Sequence, residues 1–145
     1  MGIDFGRRRC GVAVTDPLRI VATALQTVDT AALPAFVAGY CASEPVDFIV
    51  AGFPRDMRGN ESESMRFIRP AIARLRKAVP GMEIVMWDER FTSAIAHRSM
   101  IDSGMTRSQR RDKSLADRMA AVLILNSYLE SRQYGARDSG AAPLP

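Results

Sequence analysis

What this chain has little of narrows its role first. Its 145 residues include two cysteines, one histidine and one tryptophan. Cys10 and Cys41 have no metal-ligand spacing and read as small buried apolar residues of a reduced, cytoplasmic protein without a disulfide. His97, the only histidine, falls in the middle of a helical pattern and is not a candidate metal ligand. No apolar run is long enough to span a bilayer. The start of the chain lacks the basic-then-apolar order of a signal peptide, because Asp4 and Arg7-Arg8-Arg9 interrupt it. Lysine is nearly missing: of 20 basic residues only Lys77 and Lys113 are lysines. Arginine suits bidentate contacts to phosphate. A net charge of +4 and a sequence pI of about 9.6 fit an enzyme acting on a polyanion, and equally fit a charge that serves solubility alone.

What is present is the composition of one ordinary globular domain, 47% hydrophobic and 25% charged. Residues 2–6 and 10–15 are short apolar runs around Gly6-Arg7-Arg8-Arg9 and read as a hairpin. Asp16-Pro17 marks a turn before a third strand over 20–28. A helix is expected over 31–43, with Pro34 in its first turn. A buried strand follows over 46–51 and ends in a Gly52-Phe53-Pro54 loop. Met65, Ile68, Ile72, Leu75 and Val79 recur at helical spacing over 63–79. A strand over 82–87 leads into Asp88-Glu89-Arg90, and Thr92 or Ser93 can cap a helix reaching about 103. An arginine-rich loop over 104–113 precedes a last helix over 114–131. The domain is therefore placed at 1–131, and the Gly-, Ala-, Ser- and Pro-rich tail over 132–145 is expected to be disordered. This order implies an α/β fold with a mixed five-stranded sheet, three antiparallel strands and then parallel ones, flanked by helices.

Three acids stand out, each in its own short motif. Asp4 lies inside an apolar strand, where a charge is costly unless paired or metal-bound. It also reads as a turn residue before Gly6, and Gly6 and Gly11 would let a phosphate or metal approach the backbone. Asp88 and Glu89 are neighbours on an extended backbone and point opposite ways, so one of them enters a site and spacing does not say which. Asp117 shares a helix face with Ala120, Ala121, Ile124 and Tyr128, where an acid needs compensation. Its position in the first helical turn also gains from the helix dipole. Carboxylates gathered from distant points repel unless a cation neutralises them, and Mg²⁺ or Mn²⁺ takes oxygen ligands of this kind. A pair of such ions could clamp the attacking water and leaving oxygen of a phosphoryl transfer.

The basic residues suggest what the acids act on. Arg107, Arg110, Arg111, Lys113 and Arg118 cluster around the start of the last helix, and Arg7, Arg8 and Arg9 fill the hairpin turn. Both groups could hold a nucleic-acid backbone, or be solvated loops. Phe53 and Phe91 could stack on bases, although core packing is the simpler role.

Taken in order, these motifs resemble the YqgF/RuvX-like family of ribonuclease H-fold proteins over residues 2 to about 130. The resemblance rests on Gly2-Ile3-Asp4-Phe5-Gly6 with Arg9-Cys10-Gly11-Val12-Ala13-Val14-Thr15-Asp16, on Val50-Ala51-Gly52-Phe53-Pro54 with Met57-Arg58-Gly59, on Trp87-Asp88-Glu89-Arg90-Phe91-Thr92-Ser93, and on the helix from Asp117 to Leu129. It implies a ribonuclease H-like fold and a divalent-metal nuclease whose acids are Asp4, Glu89 and Asp117, favouring Glu89 over Asp88. It implies maturation of the 5′ end of precursor 16S rRNA in a bacterial cytoplasm. Family members usually carry several apolar residues before the first acid. Here only Met1, Gly2 and Ile3 do, so a short first strand with few ladder bonds is expected. Where the family often has a glycine-lysine pair before the last acid, this chain has Asp112-Lys113.

Other readings compete with an RNA nuclease. A resolvase cutting branched DNA would need a two-fold dimer, and the residues leave monomer and homodimer both open. A non-catalytic RNA-binding assembly factor could keep the same fold. A sugar-kinase or actin-like ATPase also uses Asp-x-Gly before a hairpin, but needs a second domain that 145 residues do not provide.

Overall fold

The computed structural model describes residues 1–16, 18, 21–53, 63–88 and 113–139. Five strands form one mixed sheet: β1 (Gly2–Asp4), β2 (Arg9–Thr15), β3 (Ala22–Asp29), β4 (Phe48–Phe53) and β5 (Glu83–Asp88). Their order across the sheet is β3-β2-β1-β4-β5. The first two pairings are antiparallel and the β1–β4 and β4–β5 pairings parallel, as the element order implies. The described helices are α1 (Leu33–Ser43), α2 (Met65–Ala78) and α3 (Lys113–Ser139), with a short 3-10 turn, Thr30–Ala32, before α1. Among these helices none is long and apolar enough to cross a membrane.

The central strand is the shortest, at three residues. Its ladder is lengthened by Met1, which is buried: the Val50 amide donates to the Met1 carbonyl at 2.8 Å, and the Met1 α-amine donates to the Phe48 carbonyl at 3.1 Å. The expected early shortage of ladder bonds is thus partly made up by β4. β4 itself runs two residues beyond its expected end, because Gly52 and Phe53 still have a strand to pair with in β5. β3 carries an irregularity where Val12 pairs Gln26 and Ala13 pairs Ala24, leaving Leu25 as the extra residue.

The two faces of the sheet are filled differently. Under α1 and α2 lie large side chains, among them Ile3, Val12, Ile49, Leu33, Ile68 and Leu75, all nearly or wholly buried. The opposite face holds Ala13, Val50 and Phe48 beneath Ala121, Ile124 and Leu125 of α3. Small residues there let the α3 backbone lie close to the strands. Past its midpoint α3 is held by aromatic contacts: Tyr128 meets Phe48 and Trp87 edge-on at 5.5 and 5.6 Å between ring centroids, and Trp87 Nε1 donates to Ser127 Oγ at 3.3 Å.

The last helix continues to Ser139, eight residues past the expected end at 131. Gln133 to Ser139 has no apolar periodicity, but extending a helix that is already formed costs little per residue. Of the tail expected to be disordered over 132–145, residues 132–139 are thus helical, and 140–145 lie outside the described residues, as does the expected helix over 92–103.

Candidate functional site

Asp4 ends β1 and is therefore at the carboxyl edge of the central strand, where open α/β sheets place their sites. It pairs with Gly11 on β2 and Gly52 on β4. Residues directly opposite in a ladder project to one face, as do residues two apart in a strand. A Cβ built on Gly2 would lie 2.8 Å from Leu125 Cβ and 2.9 Å from the Ala121 carbonyl oxygen. The Gly2 and Asp4 face is thus the α3 face. A Cβ on Gly11 would strike the backbone carbonyl of Asp117. Hence α3 rests its own backbone on β2 at the residue paired with Asp4, and Asp117 stands over the same strand end.

The two glycines do something other than admit a ligand. The space at Gly11 is taken by the α3 backbone, and a Cβ at Gly6 would strike the carbonyl of Arg9, so Gly6 closes the hairpin turn. Thr30, buried at the foot of α1, holds that turn. Its hydroxyl donates to the Gly6 carbonyl at 2.8 Å, its amide donates to the Arg8 carbonyl at 2.9 Å, and Cys10 Sγ lies 3.4 Å from its Oγ1. Nothing in the sequence pattern marks Thr30 for this role.

The charges converge at the same place. Arg9 lies two residues before Gly11 and so leaves β2 on the α3 face, where its Nε is 3.1 Å from Asp117 Oδ2. Burial pushes the Cys10 thiol up from its ordinary value, hydrogen bonds to Thr30 and Gly6 partly offset this, and the carboxylates of Asp4 and Asp117 push it up further. One buried sulfur therefore feels both acids. Both cysteines are free.

The three consecutive arginines diverge. The Arg7 guanidinium lies 5.6 Å from the centroid of the Phe67 ring on α2, Arg8 is exposed, and Arg9 turns to Asp117. Asp88 is buried and pairs with Phe53, which faces the α1 and α2 core. Its neighbour Trp87 pairs with Gly52 and faces α3. Asp88 therefore points away from Asp4. Phe53 is core rather than a stacking platform. Glu89, Phe91, Arg107, Arg110 and Arg111 lie outside the described residues, and Lys113 is the first residue of α3. Among the described residues no group of three His, Cys, Asp or Glu could hold a metal. The pair that is gathered, Asp4 and Asp117, supplies the oxygen donors that a hard divalent cation takes, and fits one that a further carboxylate would complete.

This sheet order, with an acid ending its central strand, is the ribonuclease H-like class. The structure is similar to that of T. thermophilus RuvC in complex with a Holliday junction substrate, with a TM-score of 0.55 at 18% identity over 99% of this chain and 97% of that one. A further T. thermophilus RuvC structure gives 0.54 at 17% identity. The family model described as RuvX, Holliday junction resolvase, matches residues 1–131, and the chain belongs to that family. Relatives from Phocaeicola vulgatus and Porphyromonas gingivalis, both provisionally named pre-16S rRNA nuclease, are 46% and 47% identical. The first alignment covers 92% of this chain and 96% of the relative, the second 90% and 95%.

Proposed function

We propose that this protein is a metal-dependent nuclease that hydrolyses RNA phosphodiester bonds, and that it matures the 5′ end of precursor 16S rRNA in the cytoplasm. The observation that carries the reading is the seating of α3 on Gly11, which puts Asp117 over the strand end that bears Asp4. Acids from distant points of the chain are brought to one sheet face, where their mutual repulsion favours cations, of which Arg9 already supplies one. The names of the relatives support the RNA substrate.

In this reading Asp4, Glu89 and Asp117 hold Mg²⁺ or Mn²⁺. The inward choice of Glu89 is supported by Asp88 facing the other side of the sheet. A bound divalent ion would supply Lewis-acid activation of the phosphoryl group and of water. The protein's own part is to fix the oxygen donors on rigid elements and to hold the polyanion. Arg7, Arg9, Arg107, Arg110, Arg111 and Lys113 hold the substrate backbone by phosphate contacts. The family description and the junction-bound neighbour support a resolvase of branched DNA as the alternative reading, which would need a homodimer where the RNA nuclease could act as a monomer.

The test is cleavage of a 5′-extended 16S precursor fragment, and of a four-way DNA junction, with Mg²⁺ or Mn²⁺ by this chain and its Asp117→Asn variant. Metal-dependent cutting of the RNA that the variant loses is the expected result. The variant should keep its stability within about 1 kcal/mol, because losing the partly buried Arg9 pair and relieving the Asp4 repulsion oppose each other. Faster cutting of the junction would favour the resolvase. No cutting of either, with both proteins folded, would leave a non-catalytic assembly factor.

A further inference from the structure

We propose that Arg9 is the resident counter-cation of the acid pair, displaced from Asp117 when a divalent ion binds and then free to take a substrate phosphate. The inference rests on the metal-nuclease reading, which already has Arg9 as a phosphate contact, and adds its exchange with the metal at Asp117.

Four observations carry it. Arg9 Nε is 3.1 Å from Asp117 Oδ2, so the acid that stands over Asp4 already has a cation at one of its oxygens. Arg9 leaves β2 on the same face as Asp4 and Asp117, whereas Arg7 is over Phe67 and Arg8 is exposed. The side chains are 40% and 27% exposed, so a solvated ion can reach the pair, while Asp117 Oδ2 itself is buried, so Arg9 leaves that oxygen only as another cation takes its place. The turn that carries Arg9 is fixed by Thr30 through Gly6 and Arg8, so the guanidinium can swing while its backbone stays in place.

The chemistry of arginine makes the exchange directional. A guanidinium does not lose its proton at any pH the protein meets. It therefore cannot be neutralised in place when a second cation arrives, and like charges at a few ångströms repel. The displaced group remains a planar cation beside the site, matched to the bidentate geometry of a phosphodiester. Metal binding and substrate binding then favour each other, since each occupies a partner that the other releases.

The test is a Mn²⁺ titration of the whole protein followed by melting temperature, with no RNA present, for the unmodified chain, Arg9→Gln and Asp117→Asn. Arg9→Gln removes a competing cation and should lower the Mn²⁺ concentration at half effect by about fivefold, the scale of an exposed ion pair. A merely structural role for the pair would move that midpoint the other way. In cleavage assays the same variant should reach half-maximal rate at lower metal yet show a raised KM for RNA. A midpoint unchanged or raised in Arg9→Gln, with the response still lost in Asp117→Asn, overturns the inference and leaves the metal site standing. No Mn²⁺ response in the unmodified chain or in Arg9→Gln overturns both. A lowered midpoint with KM unchanged overturns the handover to phosphate.

Discussion

The two faces of this sheet solve different problems. The face under α1 and α2 buries large interlocking side chains such as Ile3, Ile49 and Leu75. The face under α3 sets Gly2, Gly11 and Ala13 beside Phe48 and Val50, and at the two glycines a helix backbone comes up against the strands. Side-chain packing tolerates small shifts by repacking, but a carbonyl resting on a strand backbone has nowhere to go. Both faces bury apolar side chains, but only the second also fixes where Asp117 stands relative to Asp4.

The sharpest way to break this contrast is Gly11→Ala. The added methyl strikes the Asp117 carbonyl and must lift the start of α3. A displacement of about 1 Å at a reacting centre costs on the order of a hundredfold in rate, and that loss is expected in kcat for RNA cleavage, beyond any loss of folded protein. Next in size is Leu75→Ala on the other face, where Leu75 is fully buried. Denaturant unfolding should show a loss of about 2–5 kcal/mol, with activity per folded molecule unchanged. If Leu75→Ala instead lowered kcat at constant fold, the division of labour between the faces would be wrong.

Part of this contrast was legible in the residues. The helical spacing of Met65, Ile68, Ile72 and Leu75 marks α2 and its buried stripe, and Asp117 on the face of Ala121 and Ile124 marks the helix that carries the acid. The mixed sheet follows from tight turns early and crossovers later. What could not be read is how close the layers come. Gly11 looks like an opening for a ligand until the helix is seen to occupy it, because a missing Cβ says only that something is near. Thr30 is equally silent, since its two hydrogen bonds to the hairpin turn span more than twenty residues of chain. The ends of β4 and α3 exceed their expected bounds for a related reason: a partner strand or an existing helix extends structure past the sequence pattern that starts it.

Thr30→Val sharpens the comparison at a smaller scale. The change keeps shape but removes the donor to the Gly6 carbonyl, and should cost about 1–2 kcal/mol in thermal unfolding. Because the loosened turn carries Arg9, its Mn²⁺ midpoint should shift as well, whereas Leu75→Ala should leave that midpoint alone. The smallest effect, and of opposite sign, belongs to Gly39→Ala. Nothing lies within 4 Å of a Cβ at this helical position on α1. Helix propensity alone should raise stability by about 0.5–1 kcal/mol, with no change in activity. The same substitution, glycine to alanine, would then damage the molecule at one site and stabilise it at the other.

Trp87 gives the molecule its own optical probe. It is the chain's single tryptophan, two positions before Glu89, and its indole bridges β5 to Ser127 and Tyr128 of α3. Its emission therefore comes from one known junction. Any ligand that draws the helix and the end of β5 together, or parts them, writes that motion directly into the fluorescence spectrum without a label.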